Sequence, residues 1–225
     1  MILEDDSDLE PIKDPQLLFT MALDLEEEKQ YVKMGQALLR LLEIEPEQED
    51  VWYGLGIALG QQGKLDEAVA AYREQIKVKP DDENAWYNLG SALSKSGNLD
   101  QAQLAYAQAL QLNSQDLDTL SADAELALVQ QDTHRCYERI QQALVWVDNK
   151  TQHYAILPFL AWLADPESSH QPVLDAIQKL NPAVKMDCNF SDTEPAIARL
   201  NPEQQQIARQ FVAYFEGKRL DLSGL

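Results

Sequence analysis

"EDVWYGLGIALG", residues 49–60, returns in altered form as "ENAWYNLGSALS", residues 83–94. Seven of the twelve letters coincide: Glu, Trp, Tyr, Leu, Gly, Ala and Leu. A chain that repeats itself at this interval builds one unit several times, because a lone unit cannot bury its apolar face and stacked copies can. In the first stretch apolar and small residues recur at helical spacing, and Gly63 closes the helix. "KLDEAVAAYREQIKVKP", residues 64–80, reads as a second helix, with Asp66 near its start and Pro80 just past its end. Each unit is therefore helix, tight turn, helix. Gly56 and Gly90 fall in mid-helix, where glycine costs about 1 kcal/mol relative to alanine. Close approach of the partner helix is the compensation expected there.

The same interval extends outwards. From Pro80 it reaches Pro46 in one direction and Ser114, Asp148 and Pro182 in the other. Pro46 closes "YVKMGQALLRLLEIEP", and the helix before it runs from about Pro15 to Glu28, with Ala22 at the glycine position. After the central units, "DLDTLSADAELALVQQD" and "THRCYERIQQALVWV" make a degenerate pair. There Ala124 takes the glycine position, Cys136 the small-residue position and Ala143 a later alanine, while Leu120 and Asp123 replace Trp and Leu. Beyond this the pattern thins. "TQHYAILPFLAWLADPE" and "QPVLDAIQKLNP" form one more pair, with Pro158 expected to kink or shorten its first helix. "AVKMDCNFSD" reads as a loop and "TEPAIARL" as a short helix. "NPEQQQIARQFVAYFEGK" is a final helix with Asn201 as its N-cap, Pro202 as its first residue, Gly217 at its end and an apolar stripe of Ile207, Phe211, Val212 and Phe215.

The central units resemble the tetratricopeptide repeat, whose signature is W-x2-L-G-x2-Y, then A-x3-F, then P. The matching residues are Trp52, Leu55, Gly56, Leu59, Ala68, Tyr72 and Pro80, then Trp86, Leu89, Gly90, Leu93, Ala102, Tyr106 and Ala109. The departures are Leu59 and Leu93 at the tyrosine of the first helix and Ser114 at the closing proline. The architecture expected is an all-α solenoid of stacked antiparallel helix pairs, a superhelix with atypical C-terminal capping helices. Its parts are an acidic tail over 1–14, repeats over about 15–48, 49–82, 83–116 and 117–150, and a degenerate pair with capping helices over 151–225. Trp52, Trp86, Tyr72 and Tyr106 are expected in the core, so that Trp86→Ala would cost about 3–5 kcal/mol.

In tetratricopeptide proteins the first helix of each pair lines a concave groove, and the resemblance implies the same here. The groove positions are Asp50, Tyr53, Ile57 and Gln61 in one unit, Asn84, Tyr87, Asn88, Ser91 and Lys95 in the next, and Asp118, Ser121, Glu125 and Val129 in the third. Packing residues repeat between the two quoted stretches, whereas groove residues differ, as in Asp50 against Asn84 and Ile57 against Ser91. Tyrosines offer amphipathic contact area and the asparagines can bond a peptide backbone. With Asp50, Asp118 and Glu125 beside them, the groove suits a peptide or helix carrying Lys or Arg. The clamp with which some relatives grip a chaperone's C-terminal carboxylates is not supported: Asn88 fits it, but Asp118 and Ala122 stand where cations are needed.

Charge and composition agree with a protein partner. The 225 residues are 45% hydrophobic, which sustains a core, and carry a net charge of −20, which disfavours nucleic acid and anionic membrane. Residues 1–50 alone hold 15 acids against 4 bases. No apolar run approaches a membrane span, and "MILEDDSDLE" is acidic where a secretory signal would be basic. Two distant cysteines, Cys136 and Cys188, indicate a reducing compartment, and the cytoplasm is expected. His134, His153 and His170 have no metal-like spacing, and phosphate-loop and nucleophile-elbow motifs are missing. No catalytic, metal or cofactor residue is therefore assigned. Cys136 reads as a small buried contact residue and Cys188 as a loop thiol. The reading is a non-enzymatic module binding a basic peptide or protein segment, as adaptor or scaffold. The alternative is a stoichiometric chaperone or inhibitor that masks a basic partner, and a remoter one is an enzyme with its site in 151–225. No feature forces self-association.

Overall fold

The computed structural model describes residues 12–148, 150–180 and 193–216. Most of the acidic tail, Pro182, the loop with Cys188, and Gly217 lie outside the described residues. The chain is all-α over the described residues and divides into two compact units, at 112/113. The first holds α1 (Pro15–Glu27), α2 (Tyr31–Ile44), α3 (Val51–Gln61), α4 (Leu65–Val78), α5 (Glu83–Lys95) and α6 (Leu99–Leu112). The second holds α7 (Leu117–Val129), α8 (Thr133–Leu144), α9 (His153–Ala164), α10 (Gln171–Lys179), α11 (Glu194–Ile197) and α12 (Pro202–Phe215).

One turn is built four times. Lys29, Gly63, Gly97 and Gln131 follow one another at the repeat interval, and all have positive φ, at 57°, 75°, 83° and 63°. Each is followed by a residue whose N–H reaches back over the turn: Gln30 to Leu25 O (2.8 Å), Lys64 to Leu59 O (3.0 Å), Asn98 to Leu93 O (2.8 Å) and Asp132 to Ala127 O (2.9 Å). This six-to-one bond with a left-handed residue beneath it ends a helix and reverses the chain. Glycine occupies the left-handed position only in the central pairs, so the outer pairs keep the turn without its sequence marker.

In the first unit the six helices pack in chain order, each on its predecessor. Tyr72 lies over Gly56: a Cβ on Gly56 would fall 2.4 Å from Tyr72 Cε1, and one on Gly90 would fall 2.6 Å from Tyr106 Cδ1. The expected close approach is thus a buried tyrosine ring. At the same repeat positions the outer pairs hold Ala22 with Leu38 and Ala124 with Ile140, all buried. Ring goes with glycine, and branched aliphatic with alanine. The tryptophans differ from expectation. Tyr72 and Tyr106 are buried, but Trp52 and Trp86 are only half-buried. Their indole N–H groups donate to Pro46 O (2.9 Å) and Pro80 O (3.0 Å), six positions back in each case. Each tryptophan bolts the loop that enters its helix, and removing the Trp86 ring would cost about 2 kcal/mol rather than a full core truncation.

In the second unit α7 and α8 pair, α9 packs on both, α11 lies against α7 and α12 against α9. Asp123 stands where the central units have Leu55 and Leu89. It is buried, bonded by Arg139 Nε at 2.6 Å and approached by Arg135 Nε at 3.6 Å. Arg139 in turn replaces Ala71 and Ala105 of the central units, so two buried apolar positions have become an ion pair. Cys136 is wholly buried, and burial pushes its thiol up to about 12. Pro158 lies inside α9, which is shorter at both ends than the apolar run suggested. Phe211 and Phe215 of α12 meet Phe159 of α9 at ring-centroid distances of 5.9 and 5.4 Å. Asn201 forms a full capping box with Gln204 at the start of α12.

Candidate functional site

Helices α3 and α5 bury one face each and leave the other open. In front of α3 the open face becomes a pocket of ≈320 Å³ within the first unit. Phe19, Leu23 and Ile57 are among its apolar lining, and Glu26, Asp50, Lys79 and Asp82 are its charged groups. Three carboxylates thus face one ammonium. Asp82 caps α5 by accepting from Ala85 N at 3.0 Å, which fixes its side chain at the pocket. Its other oxygen accepts from the buried Gln75 Nε2 at 2.9 Å.

Tyr53 anchors the centre. Its ring pairs with Tyr72 at 6.1 Å, as Tyr87 pairs with Tyr106 at 6.1 Å. The Tyr53 hydroxyl accepts from Asn88 Nδ2 at 3.1 Å, and the same amide group donates to Asn84 O at 3.0 Å. Burial and then the Asp82 carboxylate push the Tyr53 phenol up, with Glu26 and Asp50 adding to the rise and the Asn88 hydrogen bond opposing it. The phenol is therefore protonated at neutral pH and keeps a proton to donate. The Asn88 donors are turned inward, which leaves its carbonyl oxygen as the group it can offer.

Of the residues selected from sequence, Asp50, Tyr53, Ile57 and Asn84 line this one pocket, and Asn88 is tied to it through Tyr53. Tyr87, Ser91 and Lys95 lie further along α5, outside the pocket lining. Gln61 stands elsewhere, in a shallow depression with Lys29, Lys33 and Lys64 at the helix turns. Asp118, Ser121 and Glu125 belong to the second unit. Asp118 is hydrogen-bonded by His153 Nε2 at 3.3 Å, and this bond holds its carboxyl below the usual range, against the effect of burial. Ser121 is buried rather than groove-facing, and the Val129 and Leu128 carbonyls are taken by Arg199 at 3.2 and 3.3 Å.

Glu26, Lys79 and Asp82 were not selected from sequence. The signal for Lys79 was present: the proline after it recurs as Pro46, while the position itself is Glu45 in the preceding unit and Asn113 in the next. Among the described residues no cluster of three His, Cys, Asp or Glu stands where it could hold a metal ion, and no helix is long and apolar enough to cross a membrane.

Comparison with known proteins points the same way. A TPR repeat model matches residues 58–97 and a tetratricopeptide repeat model residues 83–116. Among curated protein sequences none matches the chain significantly. Solved structures with the same fold include MamA from Desulfovibrio magneticus RS-1, 19% identical over 59% of this chain and 75% of that one, with a TM-score of 0.57. YrrB, described as a TPR protein with an unusual peptide-binding site, is 14% identical over 87% of this chain and 92% of its own, at a TM-score of 0.61. A Thermobaculum terrenum O-GlcNAc transferase matches at 20% identity and a TM-score of 0.55, over 67% of this chain but only 28% of its own. Helix pairs closed by the same turn at a constant interval, and repeat models that match the central pairs, lead to one conclusion: residues 58–116 of the chain are built of tetratricopeptide repeats.

Proposed function

We propose that the chain is a non-enzymatic interaction module that takes a basic peptide or protein segment into the groove of its first unit. The observation that carries this reading is the open pocket before α3, with an apolar wall and more carboxylates than cations. Such a site gives affinity through the apolar contacts and orientation through the charges. The net charge of −20 would speed encounter with a basic partner at low salt. YrrB supplies a precedent for peptide binding on this fold. Adaptor or scaffold work in a reducing cytoplasm is the role that fits best. The large acidity also favours a second role, masking a basic partner in a one-to-one complex.

Catalysis has little support. His134 is exposed beside Glu138 at 3.7 Å, His153 is engaged with Asp118, His170 packs edge-on against Trp162, and the Cys136 thiol is buried. None of these pairs a nucleophile with a base at an open surface.

The test is affinity capture with the full chain as bait, at low and at high salt, against an Ile57→Glu/Asn88→Ala variant. Basic proteins held by the wild type, released by salt and lost with the variant are the expected result. Equal capture by both chains would move binding out of the groove. Among captured proteins, a single salt-sensitive one-to-one partner would indicate masking, and several salt-tolerant partners would indicate scaffolding.

A further inference from the structure

The pocket before α3 already holds a cation of its own. Lys79, the residue that caps the end of α4, places Nζ 3.7 Å from Asp50 Oδ1, and both residues line the pocket. Asp50 adopts a left-handed backbone with φ 65°, which turns it out of line just before α3 begins. Behind it lies Gln75, wholly buried, whose Nε2 donates to Asp82 and at 3.4 Å approaches Asp50. The Gln75 Oε1 atom is buried without a partner. The polar end of the pocket therefore has a carboxylate pair, braced from behind by a buried glutamine outside the lining, and one loosely seated ammonium.

Lys79 is loosely seated in an energetic sense too. A pair at 3.7 Å with both side chains more than a third exposed, at 39% and 55%, is weak and screened by salt. The second unit repeats the theme. Asp118 stands two repeats after Asp50, at the same repeat position, and it too is met by a basic side chain of the chain itself, that of His153. There α9 and α11 pack against α7, whereas the pocket before α3 stays open.

The geometry points to a subsite for a single lysine or arginine side chain of the bound segment, next to an apolar residue, with Lys79 as the internal competitor that this side chain displaces. The inference rests on the groove reading and makes it specific. The cation sits at Asp50 and Asp82, and its apolar neighbour lies against Phe19, Leu23 and Ile57. Arginine is the better occupant, because its planar fork engages several acceptors where an ammonium is a point charge.

The test uses defined probes: short acetylated peptides with one arginine flanked by leucine or phenylalanine, and the same peptides with citrulline in place of arginine. Binding to the full chain is followed by amide chemical shifts at Tyr53, Ile57, Asn84 and Asn88 and by titration calorimetry. The arginine peptides should shift these amides and bind about tenfold more tightly than the citrulline peptides. Lys79→Met should tighten the arginine peptides about two- to fivefold and leave the citrulline peptides unchanged. Asp50→Asn should weaken the arginine peptides about tenfold. Asparagine tolerates a left-handed backbone, so this variant keeps its fold. No gain from Lys79→Met would overturn the subsite and leave the groove reading standing, and equal binding of the two peptide sets at these amides would overturn the subsite and leave a groove without preference for a basic segment. No shift at any of these amides would overturn both.

Discussion

The two units use one repeat register to opposite ends. In the first, α3 and α5 bury five residues each, all toward the partner helices. In the second, α7 and α9 bury eight each, because α11 and α12 return to cover them. What one unit leaves open the other fills from its own chain, with Phe211 and Phe215 against α9 and Arg199 on the last carbonyls of α7. Register alone therefore does not make a position a binding position. The elements that follow it decide whether it meets solvent or the protein itself.

The comparison is broken hardest at Asp123. Asp123→Ala leaves Arg135 and Arg139 without their buried counter-charge, and a loss of about 3–5 kcal/mol is expected in urea unfolding. Restoring the central-unit pair with Asp123→Leu/Arg139→Ala should recover most of it. If the double variant is as unstable as the single one, the ionic contact is not a substitute for the buried leucine and alanine of α3 and α4. A smaller effect is expected at the glycine–tyrosine contact. Gly56→Ala pushes a methyl into the Tyr72 ring and should cost about 1–3 kcal/mol. Adding Tyr72→Leu, which copies the Ala22–Leu38 combination, should give back part of that loss. A thermal-melting cycle showing strict additivity would mean that ring and glycine are uncoupled.

The smallest effect concerns Asp118. Its folded value is depressed, chiefly by the His153 hydrogen bond. A depressed carboxyl contributes stability that is fully present above its unfolded value, near about 3.9, and is lost as pH falls through the folded value. In His153→Gln the neutral amide can still donate, but the imidazolium charge is gone. The Asp118 titration followed by NMR should therefore move only part of the way back toward the ordinary range. His153→Ala should move it further. An unchanged titration in both variants would dissociate Asp118 from His153.

Sequence carried much of the fold because stacking forces packing residues to recur. Gly56 with Tyr72 and Gly90 with Tyr106 are visible as one pair moved along by a single repeat. The tryptophans were legible as repeated but not in role, since a large aromatic that bolts a loop and one that fills a core recur alike. The outer turns were hidden because Lys29 and Gln131 stand where the left-handed backbone usually selects glycine. For the candidate site, the periodic part of the lining was readable: Asp50, Tyr53, Ile57 and Asn84 lie at first-helix spacing. Lys79 left only the trace of a variable position before a recurring proline, and Asp82 left none, because both reach the pocket from the end of a second helix and the loop after it, whose proximity to Asp50 comes from the way the pairs stack. The closing of α7 by Arg199 depends on a contact far along the chain, from Arg199 back to Leu128, which no local pattern announces.

That last separation sets a clock. The helices of the first unit find their partners among immediate chain neighbours, and such local topologies fold quickly. The second unit must bring Arg199 back to Leu128 and α12 back to α9 before its core is complete. During synthesis the first unit can close as soon as α6 has emerged. The second waits for nearly the last residue described, so the faces of α7 and α9 that α11 and α12 cover stay open to wrong partners until then.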